Sequence, residues 1–154
     1  MEFSSKTRSC RFFQDEAEAA ANFYVSLMPG SEIENIVRAG PNGPVVVVEF
    51  SLAGAPFMCL NGNPQFVSTH SFSISVLTED QAEIDTLWNA FTEDGGEEGM
   101  CGWCKDRFGV HWQVVPKALP RLMSQDGATA GRVQAAMMKM KKIVIADLEA
   151  AAGG

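Results

Sequence analysis

A strand, a capped amphipathic helix and a set of further strands occur twice in this chain, and that repetition constrains its fold more than any other feature. In the first copy Ser9–Phe13 reads as a short strand. Asp15 follows as a helix cap, with Glu18 in the capping-box position three residues on. Ala17, Ala20, Ala21, Tyr24, Leu27 and Met28 then share one helical face, and Pro29-Gly30 stops the helix. Strands are expected over Glu32–Arg38, Val45–Leu52 and Ala55–Asn61, with turns at Pro41-Asn42-Gly43-Pro44 and Ala53-Gly54. Asn61-Gly62-Asn63-Pro64 breaks the chain between the copies.

The second copy starts the same way. Ser71–Leu77 alternates, with Phe72, Ile74 and Val76 on one face and Ser71, Ser73 and Ser75 on the other. Thr78 is the expected cap, with Gln81 completing its capping box, and Ile84, Leu87, Trp88 and Phe91 form the helical stripe. Two strands between Cys101 and Pro116 meet at a tight Asp106-Arg107-Phe108-Gly109 turn. Beyond Pro116 helices are expected over about 117–124, 128–141 and 143–151, with Val133, Ala136, Met137 and Met140 as a packing stripe. These readings give an α+β fold in one domain: a first module over about 7–62, a second over about 70–116, and a helical extension over about 117–151.

Charge narrows the partners. A net charge of −7 argues against nucleic acid and anionic membrane surfaces, which need clustered Lys and Arg; the short run Lys139, Lys141, Lys142 reads as a solvated helix face. No apolar run approaches the roughly 20 residues that span a bilayer. The Met1–Lys6 start has no apolar stretch, so a cytoplasmic location is expected. Disulfides are then not expected among Cys10, Cys59, Cys101 and Cys104. Cys101-Gly102-Trp103-Cys104 invites a thiol-redox reading, but on a strand Cys101 and Cys104 would point to opposite faces.

Four segments carry a family resemblance. They are Ala17 through Tyr24, Phe57 through Gly62, Cys101-Gly102-Trp103 with Trp112 through Pro116, and Arg132-Val133 followed by Ala136 through Lys142. With them the chain resembles the PhnB-like group, often labelled demethylubiquinone methyltransferase, of the vicinal oxygen chelate superfamily, which includes glyoxalase I and bleomycin-resistance proteins. The resemblance implies paired βαβββ modules forming a cupped mixed sheet, commonly in a homodimer. It also implies a metal position inside the cup, carried here onto Ser9, Ser71 and Gln113, with Cys59 or else Asn61 as the fourth.

Strand parity separates the cup-facing side chains from the packed ones. If Cys10 and Phe12, Val46, Val48 and Phe50, Met58 and Leu60, and Trp112 and Val114 pack on helices, the cup receives Ser9, Arg11, Glu49, Ser51, Cys59, Asn61, Ser71, Ser73, Ser75, His111 and Gln113. Neutral oxygens at the metal positions do not offset the dehydration of a divalent ion, so no cofactor is expected, a divalent metal being the alternative. The expected function is small-molecule binding: aromatic walls from Phe57 and Trp103, and polar points from Ser9, Arg11, Cys59, Asn61, Ser71, Ser73, Cys101 and Gln113. One alternative is an enzyme in which Glu49 or His111 moves a proton, Glu49 competing with a structural pairing to Arg11. A thiol-redox module is the other. Methyl transfer finds no Gly-rich strand-to-helix turn to support it.

Overall fold

The computed structural model describes residues 5–62 and 65–154 and divides the chain into two compact units, Met1–Val67 and Ser68–Gly154. Asn63 and Pro64, part of the expected break, lie outside the described residues.

The first unit runs β1 (Ser9–Phe13), α1 (Ala17–Leu27), β2 (Glu32–Arg38), β3 (Val45–Leu52) and β4 (Ala55–Asn61). Its sheet has the order β1-β4-β3-β2, with β1 parallel to β4 and the other pairs antiparallel. Ala17, Ala20, Ala21 and Tyr24 of α1 are buried, as are Phe13, Val48, Phe50, Leu52 and Cys59 of the sheet. The helix therefore covers that face.

The start of α1 corrects the capping expectation. Glu16 is the N-cap residue and makes no side-chain cap bond. Instead the Ala17 N–H donates to Asn61 Oδ1 at 2.8 Å, while Asn61 Nδ2 donates to the Val45 carbonyl at 3.1 Å. A side chain 44 residues away in sequence thus does the work expected of Asp15.

The second unit repeats the order with β5 (Ile74–Thr78), α2 (Gln81–Thr92), β6 (Glu97–Glu98), β7 (Trp103–Lys105) and β8 (His111–Pro116), paired β5-β8-β7-β6. Its strand begins at Ile74, so Ser71–Ser73 precede it, and Phe72 is exposed rather than packed. Asp80, not Thr78, caps α2 by accepting the Glu83 N–H at 2.9 Å. Thr78 is buried and donates to the Val115 carbonyl. Under α2 lie Trp112, Val114 and Cys104, with Phe91 stacked on Trp112 at 4.2 Å between ring centroids.

Three helices complete this unit: α3 (Ala118–Met123), α4 (Gly127–Met137) and α5 (Ile145–Gly153). Leu122, Val133, Ile143 and Leu148 form their buried core, flanked by Met137 and Met140. The segment between α4 and α5, with the first residue of α5, is tied to the rest of the unit through its backbone. Met140 and Lys141 carbonyls accept from the Cys101 and Gly102 N–H groups at 2.8 Å each. Gln81 donates to the Ile143 carbonyl at 3.0 Å and accepts from the Ile145 N–H at 2.9 Å. Among the described residues no helix is long and apolar enough to cross a membrane.

Candidate functional site

Cross-strand partners share a face of the sheet, so the register decides which side chains can meet. In the second unit Trp103 pairs with Gln113, Lys105 with His111, and Ser75 with Gln113, while Cys104 and Ile74 pair with Trp112. Trp103, His111, Gln113 and Ser75 therefore occupy the face opposite α2, as parity predicts. Gln113 Nε2 donates to Ser73 Oγ at 2.9 Å. His111 is buried and its ring lies 4.2 Å from that of His70, tilted by 38°. A recess of about 90 Å³ opens here, lined by His70, Glu97, Glu98, Gly99, Trp103, Cys104, Lys105 and His111. Ser71 sits in the turn before the strand, its hydroxyl 2.6 Å from that of Thr69.

Glu97 and Glu98 frame the recess as ionised groups. The Lys105 ammonium, 2.7 Å from Glu97, holds that carboxyl below its ordinary value. Lys141, and after it the Trp88 indole, does the same for Glu98.

The same hairpin carries the two cysteines of the Cys101-Gly102-Trp103-Cys104 motif. Cys104 lies under α2, and burial pushes its thiol up to about 12, with the Asp106 carboxylate adding to the shift. Cys101 is not on a strand as expected. It occupies a turn with φ of 59°, ahead of β7.

In the first unit the register overturns the parity assignment of β1 and β4 and keeps that of Glu49 on β3. Val48 pairs with Cys59 and Phe50 with Phe57; Arg11 pairs in turn with Cys59, Ser9 with Phe57 and Phe13 with Asn61. Ser9, Arg11, Phe57, Cys59 and Asn61 thus lie on the face that α1 covers. Cys59 is only 1% exposed. Cys10, Phe12, Met58 and Leu60 lie on the opposite face with Glu49. Phe57–Leu60 is continuously apolar, so alternation gave no phase for this strand.

Glu49 does find an arginine, but it is Arg8 rather than Arg11. Arg8 Nε lies 3.7 Å from Glu49, and its guanidinium also pairs with Glu34 and donates to the Phe50 and Phe57 carbonyls. Asn35 donates to the other Glu49 oxygen at 3.1 Å. Arg8 is two residues from Cys10 and four from Phe12, so placing those two on the open face would have found it. The Arg11 guanidinium instead lies 5.2 Å over the Phe13 ring, and its buried Nε has no hydrogen-bond partner among the described residues.

The metal positions carried by the resemblance hold two hydroxyls, an amide and a thiol. Ser9 and Cys59 face α1, the Ser71 hydroxyl is bonded to Thr69, and the Gln113 amide to Ser73. Among the described residues no three His, Cys, Asp or Glu side chains gather as an ion site. Three neutral oxygens and a buried thiol do not fit a divalent ion.

Two strand–helix–strands units of this topology are those of the glyoxalase/bleomycin-resistance fold. A family model described as 3-demethylubiquinone-9 3-methyltransferase matches residues 5–115, and the chain belongs to that PhnB-like family. A Bacillus cereus PhnB protein carrying the same description is 33% identical, with 73% of this chain and 99% of that one covered and a TM-score of 0.67. A protein from Pseudomonas aeruginosa is 22% identical over 73% of this chain and 98% of its own, with a TM-score of 0.61. The fosfomycin resistance protein FosX of Listeria monocytogenes is 12% identical over 80% of this chain and 100% of its own, with a TM-score of 0.55, a likeness of fold alone. No curated protein matches the chain.

Proposed function

We propose that the chain is a small-molecule-binding protein of the PhnB-like family, working without a metal. Its ligand would sit on the face of the second sheet opposite α2. The observation that supports this best is the Gln113–Ser73 hydrogen bond beside Trp103. Two polar groups are held there at fixed geometry next to an aromatic wall, on a face that the unit's own helix leaves open. Binding sites need this combination of apolar wall and a few convergent polar groups. His70 and His111 border it across the recess.

The proposal extends to a homodimer in the cytoplasm, where the four free cysteines would remain reduced. Proton transfer through Glu49 is the weaker reading, because Arg8 and Asn35 already engage both of its oxygens. The methyl transfer named in the family description finds no support in the strand-to-helix turns. The β1–α1 turn is Gln14-Asp15-Glu16 and the β5–α2 turn Glu79-Asp80, and neither has a glycine that would let a nucleoside cofactor approach the backbone.

Thermal-shift screening with quinones, dicarbonyls and simple aromatics tests the reading. A stabilising ligand whose shift disappears in Gln113→Ala and persists in Glu49→Gln supports it. Stoichiometric divalent metal in protein purified without chelator would refute the metal-free part.

A further inference from the structure

Two local rules fail at the same place in the first unit. Asp15, expected to cap α1, makes no hydrogen bond or ion pair among the described residues, because Asn61 has taken over the cap. Val46, expected to pack, is 37% exposed. The cause of the second failure is a β-bulge. Val45 pairs with Arg38 and Val47 with Val37, so Val46 is the extra residue that β2 leaves unpaired. Paired departures of this kind concentrate at functional sites.

Both residues line one cavity of about 480 Å³, together with Gln14, Glu18, Arg38, Pro44, Val45, Asn61 and Gly62. That volume falls within the range of small-molecule sites. Pro44, Val45 and Val46 supply an apolar wall. Most of the polar lining is already engaged: Asn61 spends both ends of its amide on Ala17 and Val45. Arg38 forms a two-pronged pair with Glu18, at 3.0 and 3.1 Å, and the two charges cancel. What remains is the Gln14 amide and the Asp15 carboxylate, the latter a negative charge with no ion pair among the described residues, beside an apolar surface.

We propose that this cavity is a second binding site, for a small amphipathic amine whose ammonium pairs with Asp15 and whose apolar body lies on Pro44, Val45 and Val46. All of its lining residues belong to the first unit.

The test titrates the full chain with phenethylamine, and separately with phenethyl alcohol, while NMR follows the valine methyl signals. The amine is expected to move the Val45 and Val46 methyls. It should bind about fivefold more tightly than the alcohol and lose about that factor in Asp15→Asn, as befits one partly solvated ion pair. Asp15 has no described bond to lose, so the variant should keep the parent's melting temperature. The proposal is overturned if the amine leaves Val46 unmoved, if the alcohol binds equally well, or if Asp15→Asn binds the amine unchanged. Concentration-dependent Val46 shifts without amine would overturn it too, by assigning the cavity to a second copy of the chain.

Discussion

Asp106 accepts the indole N–H of Trp112 at 2.8 Å, joining the turn between β7 and β8 to the buried face of the second sheet. Its other oxygen accepts the Phe108 and Val110 N–H groups at 2.9 and 3.0 Å, and the side chain is almost wholly buried. This turn fixes where β8 begins, and hence where His111 and Gln113 stand. Asp106→Ala strands three donors, two of them N–H groups of the turn itself. We expect a loss of about 3 kcal/mol in denaturant unfolding, with weaker ligand-induced stabilisation.

Asn61→Ala removes the cap of α1 and one tie to β3 at the same time. A stability loss of about 1–2 kcal/mol is expected from the cap alone. Asn61→Asp keeps the acceptor for Ala17 but loses the donor for Val45, and should fall between the parent and the alanine variant. Thermal unfolding of the three proteins checks the order.

Gly102 adopts φ of +79°, and a Cβ there would stand 2.7 Å from the Val114 carbonyl oxygen and 2.9 Å from Ile143 Cδ1. Gly102→Ala therefore combines backbone strain with a clash that separates the α4–α5 segment from the sheet. A cost of at least about 1–2 kcal/mol follows from the left-handed conformation alone. Hydrogen exchange should rise first at the Cys101 and Gly102 amides.

Acid should weaken the same region. Asp85, Glu97 and Glu98 are all held below their ordinary values, each chiefly by a lysine hydrogen bond: Lys142, Lys105 and Lys141 respectively. A depressed carboxyl contributes stability that is present above its unfolded value and lost as pH falls through the lower folded one. Stability should thus decline as the solution passes below about pH 4.5. Glu98→Gln should flatten part of that decline in pH-dependent melting curves, and an unchanged acid limb would refute the assignment.

At pH 8 a thiol with a pKa near 12 is protonated and buried, so Cys104 should resist alkylation, as should the buried Cys59. Cys10 and Cys101 should label first, and all four only after unfolding. A reversible Cys101–Cys104 bond formed by mild oxidant in the native protein would contradict this.

The limits of all four strands of the first unit were legible in the sequence, since Gly and Pro punctuate the apolar runs of β2, β3 and β4 and the polar Gln14-Asp15-Glu16 ends β1. The phase of β4 was not, because Phe57, Met58, Cys59 and Leu60 are apolar on both faces and only pairing with Val48 and Phe50 settles which side is covered. The second sheet was easier: Trp112, Gln113 and Val114 alternate cleanly, and their facing follows. Asn61 as a cap was beyond local reading, since its partner Ala17 is near only after β1 and β4 have paired. The serine row before Ile74 alternated well enough to suggest a longer strand, yet β5 pairs with β8 only from Trp112 onward.

The residues matched by the family model stop at 115, whereas Ile143 is fully buried and its carbonyl is tied to Gln81. The tail therefore serves as a clamp on the matched portion of the fold rather than an appendage. Cutting the chain ahead of Met140 would uncover Gly102 and slacken the hairpin that carries Trp103, so truncation should be felt at the open face before it is felt in the helices.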